Sequence, residues 1–221
     1  MLYSPKPMHI PDGFLSIAVA AVLWAVSIVA VAYALRRVGR DLGERQVPLM
    51  GVLAACIFAG QMLNFAVTGG TSGHLLGAAI ATILLGPWAS VLVLTCVVSV
   101  QALLFQDGGI LALGANILNM AVVGILTAYV IMRLGSRLAG RSRGARLAVT
   151  FVAGWASVLL ASLACAVELG LSGSADWGVV LTAMGSVHAL IGIGEGLVTT
   201  AVVAFLLGVR PDMVNLRPAR A

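Results

Sequence analysis

Seven apolar runs fill most of this chain, and its charges stand almost entirely between them. The runs cover roughly 14–35, 47–67, 74–87, 88–105, 114–134, 147–170 and 179–208. A helix rises about 1.5 Å per residue, so most of these runs match a hydrocarbon core of about 30 Å. That core holds no water to satisfy exposed backbone groups, which favours helices. Only 10% of the residues are charged, against roughly 25% in a soluble domain. So few charges cannot cover a water-facing surface. The expected fold is all-α: a polytopic membrane helix bundle whose solvent is the lipid bilayer.

The number of spans depends on Gly86-Pro87, where the short third run meets the fourth. A tight turn there gives seven spans, and one kinked helix gives six. The arginines favour seven. They fall in the loop after the first run (Arg36, Arg37, Arg40, Arg45), the loop after the fifth (Arg133, Arg137, Arg141, Arg143, Arg146) and the tail (Arg210, Arg217, Arg220). Seven spans place all three groups on one side, which the positive-inside rule makes cytoplasmic. Six spans would send two groups outside. The expectation is therefore an N-terminus outside and a C-terminus in the cytoplasm. The whole of 1–221 reads as one membrane-embedded domain.

The net charge of +5 does not indicate nucleic acid, because no basic stripe is interleaved with aromatics. Cys56, Cys96 and Cys165 lie inside apolar runs without CxxC spacing, so they read as small buried hydrophobes. Lys6 is the only cation before the first run, and a Pro-Asp-Gly cluster stands where a signal peptide's apolar region would begin. The first run is therefore expected to remain as a helix. Gly51, Ala55 and Ala59 recur every four residues, which allows helices to approach closely in lipid.

Potential chemistry is concentrated in a few residues. Met8-His9-Ile10-Pro11-Asp12-Gly13 precedes the first run. If Met8 is the true terminus, its amine, the His9 backbone nitrogen and the His9 ring can chelate one ion. Three nitrogens in a plane suit Ni(II). The same residues also read as a helix start with Asp12 as N-cap. His74 closes Gly69-Gly70-Thr71-Ser72-Gly73-His74 at the outer start of the third run. His188 lies in the outer half of the seventh, so all three histidines are placed near one membrane face. Glu195, seven residues after His188, shares its helical face. An ionisable group inside a span marks either a pathway or a pairing. Glu195 is matched with His188 or with a hydroxyl. Asn64, Asn116 and Asn119 are buried amides that join helices or support a site. Asp107 and Asp176 read as solvated loop residues. No P-loop, HExxH or nucleophile elbow is present, so nothing points to an enzyme or to self-energised transport.

With these residues assembled, the chain resembles the membrane substrate-binding M subunit of energy-coupling-factor nickel/cobalt transporters, the CbiM/NikM family. The resemblance rests on MHIPDGFL at 8–15, GGTSGHLLG at 69–77 and HALIGIGE at 188–195. It implies a six-helix substrate-binding core plus an extra N-terminal helix. It implies that Met8, His9 and His74 bind Ni(II) or Co(II), carried as substrate rather than held as a cofactor. Asp12, Ser72, His188 and Glu195 match the same motifs and are given supporting roles. The implied partners are a transmembrane coupling (T) subunit, ATPase (A) subunits and a small accessory membrane subunit, in a bacterial or archaeal cytoplasmic membrane. Residues 1–7 depart from the pattern. They read as an over-extended start, since with them in place Met8 has no free amine. The competing reading is a standalone metal/proton carrier with His188 and Glu195 as its relay.

Overall fold

In a computed structural model of the chain, residues 9–41, 46–62, 65–67, 71–140 and 142–214 are described. The apolar runs become helices α1 (Ile17–Asp41), α2 (Gln46–Gln61), α3 (Ala78–Leu85), α4 (Pro87–Phe105) and α5 (Leu113–Ile117). The last passes through a π-helical turn at Leu118–Val123 into α6 (Gly124–Ala139). Two long helices follow, α7 (Arg143–Leu171) and α8 (Trp177–Val209). Five stretches are long and apolar enough to cross a bilayer: Ile17–Gly39, Pro87–Phe105, Leu113–Ala139, Arg143–Leu171 and Trp177–Val209. Helix α2 is apolar but shorter.

Two runs are less regular than expected. The second leaves its helix at Gln61, and its end forms β1 (Phe65–Val67), which pairs antiparallel with β2 (Thr71–Gly73). A small ribbon is thus added to the expected all-α bundle. The third run is helical only over Ala78–Leu85. Residues 74–77 precede it as non-helical chain. The turn expected at Gly86-Pro87 is present. Gly86 has φ +76°, a left-handed value that suits glycine, and Pro87 opens α4.

Helix starts follow local chemistry. Ser142 Oγ accepts the Ala145 N–H ahead of α7, and Asp176 accepts those of Gly178 and Val179 ahead of α8. Helices α7 and α8 form a close hairpin. A Cβ added at Gly154 would lie 3.0 Å from the Gly196 Cα, so the two backbones touch where small residues permit it. Helix α1 lies at the edge, with 11% of its apolar window buried against 50% for α4. It packs mainly against α4 and α5, and also touches the π-helical turn at Leu118–Val123. The Trp24 indole donates to the Leu111 carbonyl at 3.0 Å, and the Ser27 hydroxyl to that of Gly114 at 2.6 Å.

The central core joins Ile57, Leu76, Leu94, Val98, Ile117 and Ile125. Within it, Gln101 Nε2 donates to Gln61 Oε1 at 3.0 Å, and Gln61 Nε2 donates to the Leu76 carbonyl at 2.9 Å. Two of the three cysteines, Cys56 and Cys96, face outward rather than into the core, whereas half-buried Cys165 packs against the small cluster of Ile10, Ala112 and Ala115. A thiol on the lipid-facing side of an apolar helix meets no penalty that would force it inward.

Candidate metal centre

The segment carrying His9 is fixed by backbone and side-chain hydrogen bonds to the chain between α4 and α5. The Asn116 side chain accepts the Ile10 N–H and donates to the Ile10 carbonyl, each at 3.1 Å. Gly109 N–H donates to the same carbonyl at 2.9 Å. Asp12 accepts the N–H groups of Ile110, Leu111 and Ala112 at 3.1, 2.8 and 3.1 Å. Asp12 therefore does not cap α1, whose start is bonded by Ser16 Oγ to the Val19 N–H. It satisfies the free amides ahead of α5 instead.

His9 is buried. Its backbone N–H donates to Asp107 Oδ1 at 3.4 Å, and its Nδ1 lies 3.1 Å from the Asp107 carbonyl oxygen. Asp107 was expected in solvent, yet it is buried under this histidine. Gly108 permits the approach: at φ +103° it is a glycine conformation, and an added Cβ would lie 2.9 Å from the His9 Cβ. Burial holds the His9 imidazole below its ordinary pKa, against the opposing pull of the Asp107 charge and hydrogen bond.

His74 reaches the same place from residues 74–77. Its ring stands edge-on to that of His9, with centroids 5.0 Å apart and planes at 86°. Its Nδ1 lies 2.8 Å from the Leu75 carbonyl oxygen. The non-helical backbone behind it is satisfied by side chains. Glu195, 2% exposed, accepts the Leu76 N–H on Oε2 and the Gly77 N–H on Oε1, both at 2.8 Å. Neither expected partner of Glu195, His188 or a hydroxyl, is the one it has. Buried backbone donors away from water demand a partner, and here the carboxylate provides it.

His188 faces the site from α8, with Nδ1 2.9 Å from the Met184 carbonyl oxygen. His9, His74 and His188 line one cavity of about 90 Å³, with Asn119, Cys165 and Met184 among its other walls. The His9 Nε2 is buried there without a hydrogen-bond partner among the described residues. Asn119, on the π-helical turn, donates to Glu168 Oε2 at 2.7 Å. Glu168 escaped the sequence reading, although an acidic residue inside an apolar run warrants the same attention as Glu195. Ser72 lies on β2 opposite Ala66, with its side chain outside the described positions. Met8 and Asn64 also lie outside the described residues. Asp176 is exposed, as expected, and caps α8.

Apolar spanning helices enclosing a buried histidine pocket define a polytopic membrane protein with a small, nitrogen-lined site. Residues 9–213 match the family described as the cobalt uptake substrate-specific transmembrane region, and the chain belongs to that family. The fused nickel transport protein NikMN of Rhodobacter capsulatus is 38% identical over 228 residues, covering 97% of this chain and 66% of that protein. The cobalt transport protein CbiM of Sorangium cellulosum is 34% identical over 222 residues, covering 94% and 95%. A crystal structure of a truncated transition metal transporter superposes with a TM-score of 0.84 at 35% identity, covering 91% of this chain and 99% of that one. The family and these relatives are membrane metal transporters, not enzymes.

Proposed function

We propose that this chain is the ion-binding membrane subunit of an energy-coupling-factor importer of Ni(II) or Co(II). The observation carrying the reading is the pairing of the buried His9 imidazole with the half-buried His74 imidazole on one small cavity. Neutral imidazole suits both metals. His9 and His74 are the ligands, and in a chain that starts at Met8 its amine adds a third nitrogen. Asp12, Asp107 and Asn116 fix the first histidine, and Glu195 fixes the second.

The cation is the substrate. Energy comes from partner ATPases acting through a transmembrane coupling subunit, with a small accessory membrane subunit completing the assembly. The protein crosses the cytoplasmic membrane seven times, with its N-terminus outside. Support for the seventh crossing comes from the two ends of residues 74–86. His74 shares a cavity with His9, whereas Gly86 and Trp88 share another with Arg37 and Gln46 at the far end of α1. Residues 74–77 and α3 together bridge the two ends.

The test is metal content and uptake. The purified chain is expected to retain Ni(II) or Co(II), and His9→Ala and His74→Ala each to lose it while still inserting. Unchanged metal in both variants would remove the site. In vesicles, uptake is expected only with the coupling subunit and ATPases present. Uptake by the chain alone, coupled to protons, would make it a standalone carrier.

A further inference from the structure

The end of α1 farthest from the histidines borders a second cavity, of about 140 Å³. Its walls include Arg37 and Val38 of α1, Gln46 at the start of α2, and Gly86, Pro87 and Trp88 at the turn into α4. Three helices converge there, and none of these residues lines the histidine cavity. The cation on its wall is held by aromatic rings. The Arg37 guanidinium lies 5.8 Å from the Tyr33 ring centre. Tyr33 in turn stands edge-on to Trp88, with centroids 4.7 Å apart and planes at 74°. A guanidinium over a ring face is attracted by the ring's quadrupole, and its planar fork of donors matches phosphate oxygens. The ion pairs among the described residues are His9 with Asp107 and Arg210 with Asp212, so no carboxylate there neutralises Arg37. Gln46 is exposed beside it, with an amide NH₂ to donate.

The surface leading to this cavity is apolar. Val26, Val29, Tyr33 and Arg37 follow one another at helical spacing and share a stripe of α1. Val26, Val29 and Tyr33 are all exposed. From Val26 to Arg37 the helix rises about 16 Å, close to half of a hydrocarbon core of about 30 Å. Arg37 stands two residues before the end of its apolar stretch at Gly39, the depth of a headgroup.

We propose that this cavity binds the phosphate of an anionic phospholipid, with an acyl chain laid along Val29 and Val26. A free phosphate would use only the cavity, whereas a phospholipid matches the cavity and the apolar stripe beside it. Arg36, Arg40 and Arg45 stand nearby in sequence. Under the charge-derived topology this is the cytoplasmic leaflet, whose anionic lipids are recognised by basic pockets between helices. The inference rests on that topology for the leaflet and is independent of the metal reading. Helix α1 has only 11% of its apolar window buried, so a lipid seated against α1, α2 and α4 adds to its attachment.

The experiment uses the full chain in a neutral detergent, titrated with phosphatidylglycerol or with phosphatidylcholine of the same acyl chains. Native mass spectrometry counts the lipid retained. One phosphatidylglycerol should stay bound at concentrations where phosphatidylcholine does not. Arg37→Gln should weaken its binding by more than the roughly fivefold that one basic residue is worth at a bare anionic surface. Arg37→Lys keeps the charge without the fork and should fall between. Arg137→Gln, exposed on α6 and outside the cavity, should stay within that fivefold. Glycerophosphate, which has no chain, should not displace the lipid at equal concentration. Equal retention of the two lipids, or equal losses in Arg37→Gln and Arg137→Gln, would overturn the site. Displacement by glycerophosphate would overturn the lipid as its occupant. None of these results bears on metal binding.

Discussion

The Glu195 carboxylate takes the backbone N–H of Leu76 at 2.8 Å across 119 residues of sequence. Its other oxygen takes the next amide, that of Gly77. His74 stands two residues before Leu76. One buried carboxylate on α8 thereby sets the path of the segment that presents a histidine to the cavity. His188 lies on the same helix and faces the same cavity. Helix α8 therefore bears on the site both directly, through a ring, and indirectly, through a tie to the His74 backbone.

Glu195→Gln should weaken metal binding without abolishing insertion. A glutamine offers one acceptor oxygen and one donor NH₂, and here it faces two backbone donors. One amide loses its partner, at a cost of about 1.5–3 kcal/mol for a bond to a charged group. Metal affinity should fall roughly 10–100-fold, as for other groups that orient a ligand. Isothermal titration with Ni(II), beside a melting curve, checks both numbers. Wild-type affinity in Glu195→Gln would mean that the loop holds itself.

The pH response follows from His9. Its pKa lies below the ordinary 6.5 because burial outweighs the pull of Asp107. Between the lowered value and 6.5 the unfolded chain binds a proton that the folded chain refuses. The metal-free protein should therefore lose stability as pH falls below 6.5, until the lowered value is passed. For metal binding the shift acts the other way. A ring still neutral below pH 6.5 offers no proton to displace, so His9 adds no loss of affinity on passing 6.5. Affinities and melting temperatures between pH 7.5 and 5 test the pair. A melting temperature unchanged below pH 6.5 would contradict the burial argument.

The bundle was legible in the sequence because membrane burial is written in long apolar runs, and each of the seven runs contains a helix. Rare residue types pointed to the cavity, which His9, His74 and His188 all line. What escaped were bonds between distant backbone and side chain. Asp107-Gly108-Gly109 reads as an ordinary turn, and nothing local says that Gly108 makes room for His9. Asp12 has the composition of an N-cap, but which helix it serves depends on the tertiary fold. Glu195 was seen but given the wrong partner, since helical spacing points only to neighbours on its own helix. Glu168 was visible as an acid inside an apolar run, and its neighbour Asn119 acquires its position from a π-helical turn that no periodicity announces.

Topology can be read with reporters. A reporter after Ala221 should behave as cytoplasmic, and one inserted in the loop at 172–175 as external. The charge argument requires this, because only seven crossings gather every arginine cluster on one side. The expected side of the 172–175 loop is also that of His9, since Ser174 Oγ donates to the Phe14 carbonyl. The opposite behaviour at either position would remove one crossing, and residues 74–86 would be the first segment to reassign.

The strap formed by residues 9–12 should be separable from the His74 side of the cavity. Asp12 satisfies three consecutive amides ahead of α5. Gly109 lies so close that any Cβ there would strike the Asp12 carboxylate. Asp12→Ala leaves those amides without an acceptor, a loss of about 0.5–2 kcal/mol by analogy with a removed cap. Gly109→Ala attacks the same joint from the other chain by steric conflict. Both should speed hydrogen exchange at residues 110–112 and loosen His9, lowering metal affinity. Exchange at Leu76 and Gly77 should stay slow, because Glu195 still holds them. Asp12→Asn keeps one acceptor oxygen and should fall between wild type and Asp12→Ala. If Asp12→Ala releases the Leu76 and Gly77 amides as well, the two halves of the site form a single cooperative unit, and the strap is not an independent element.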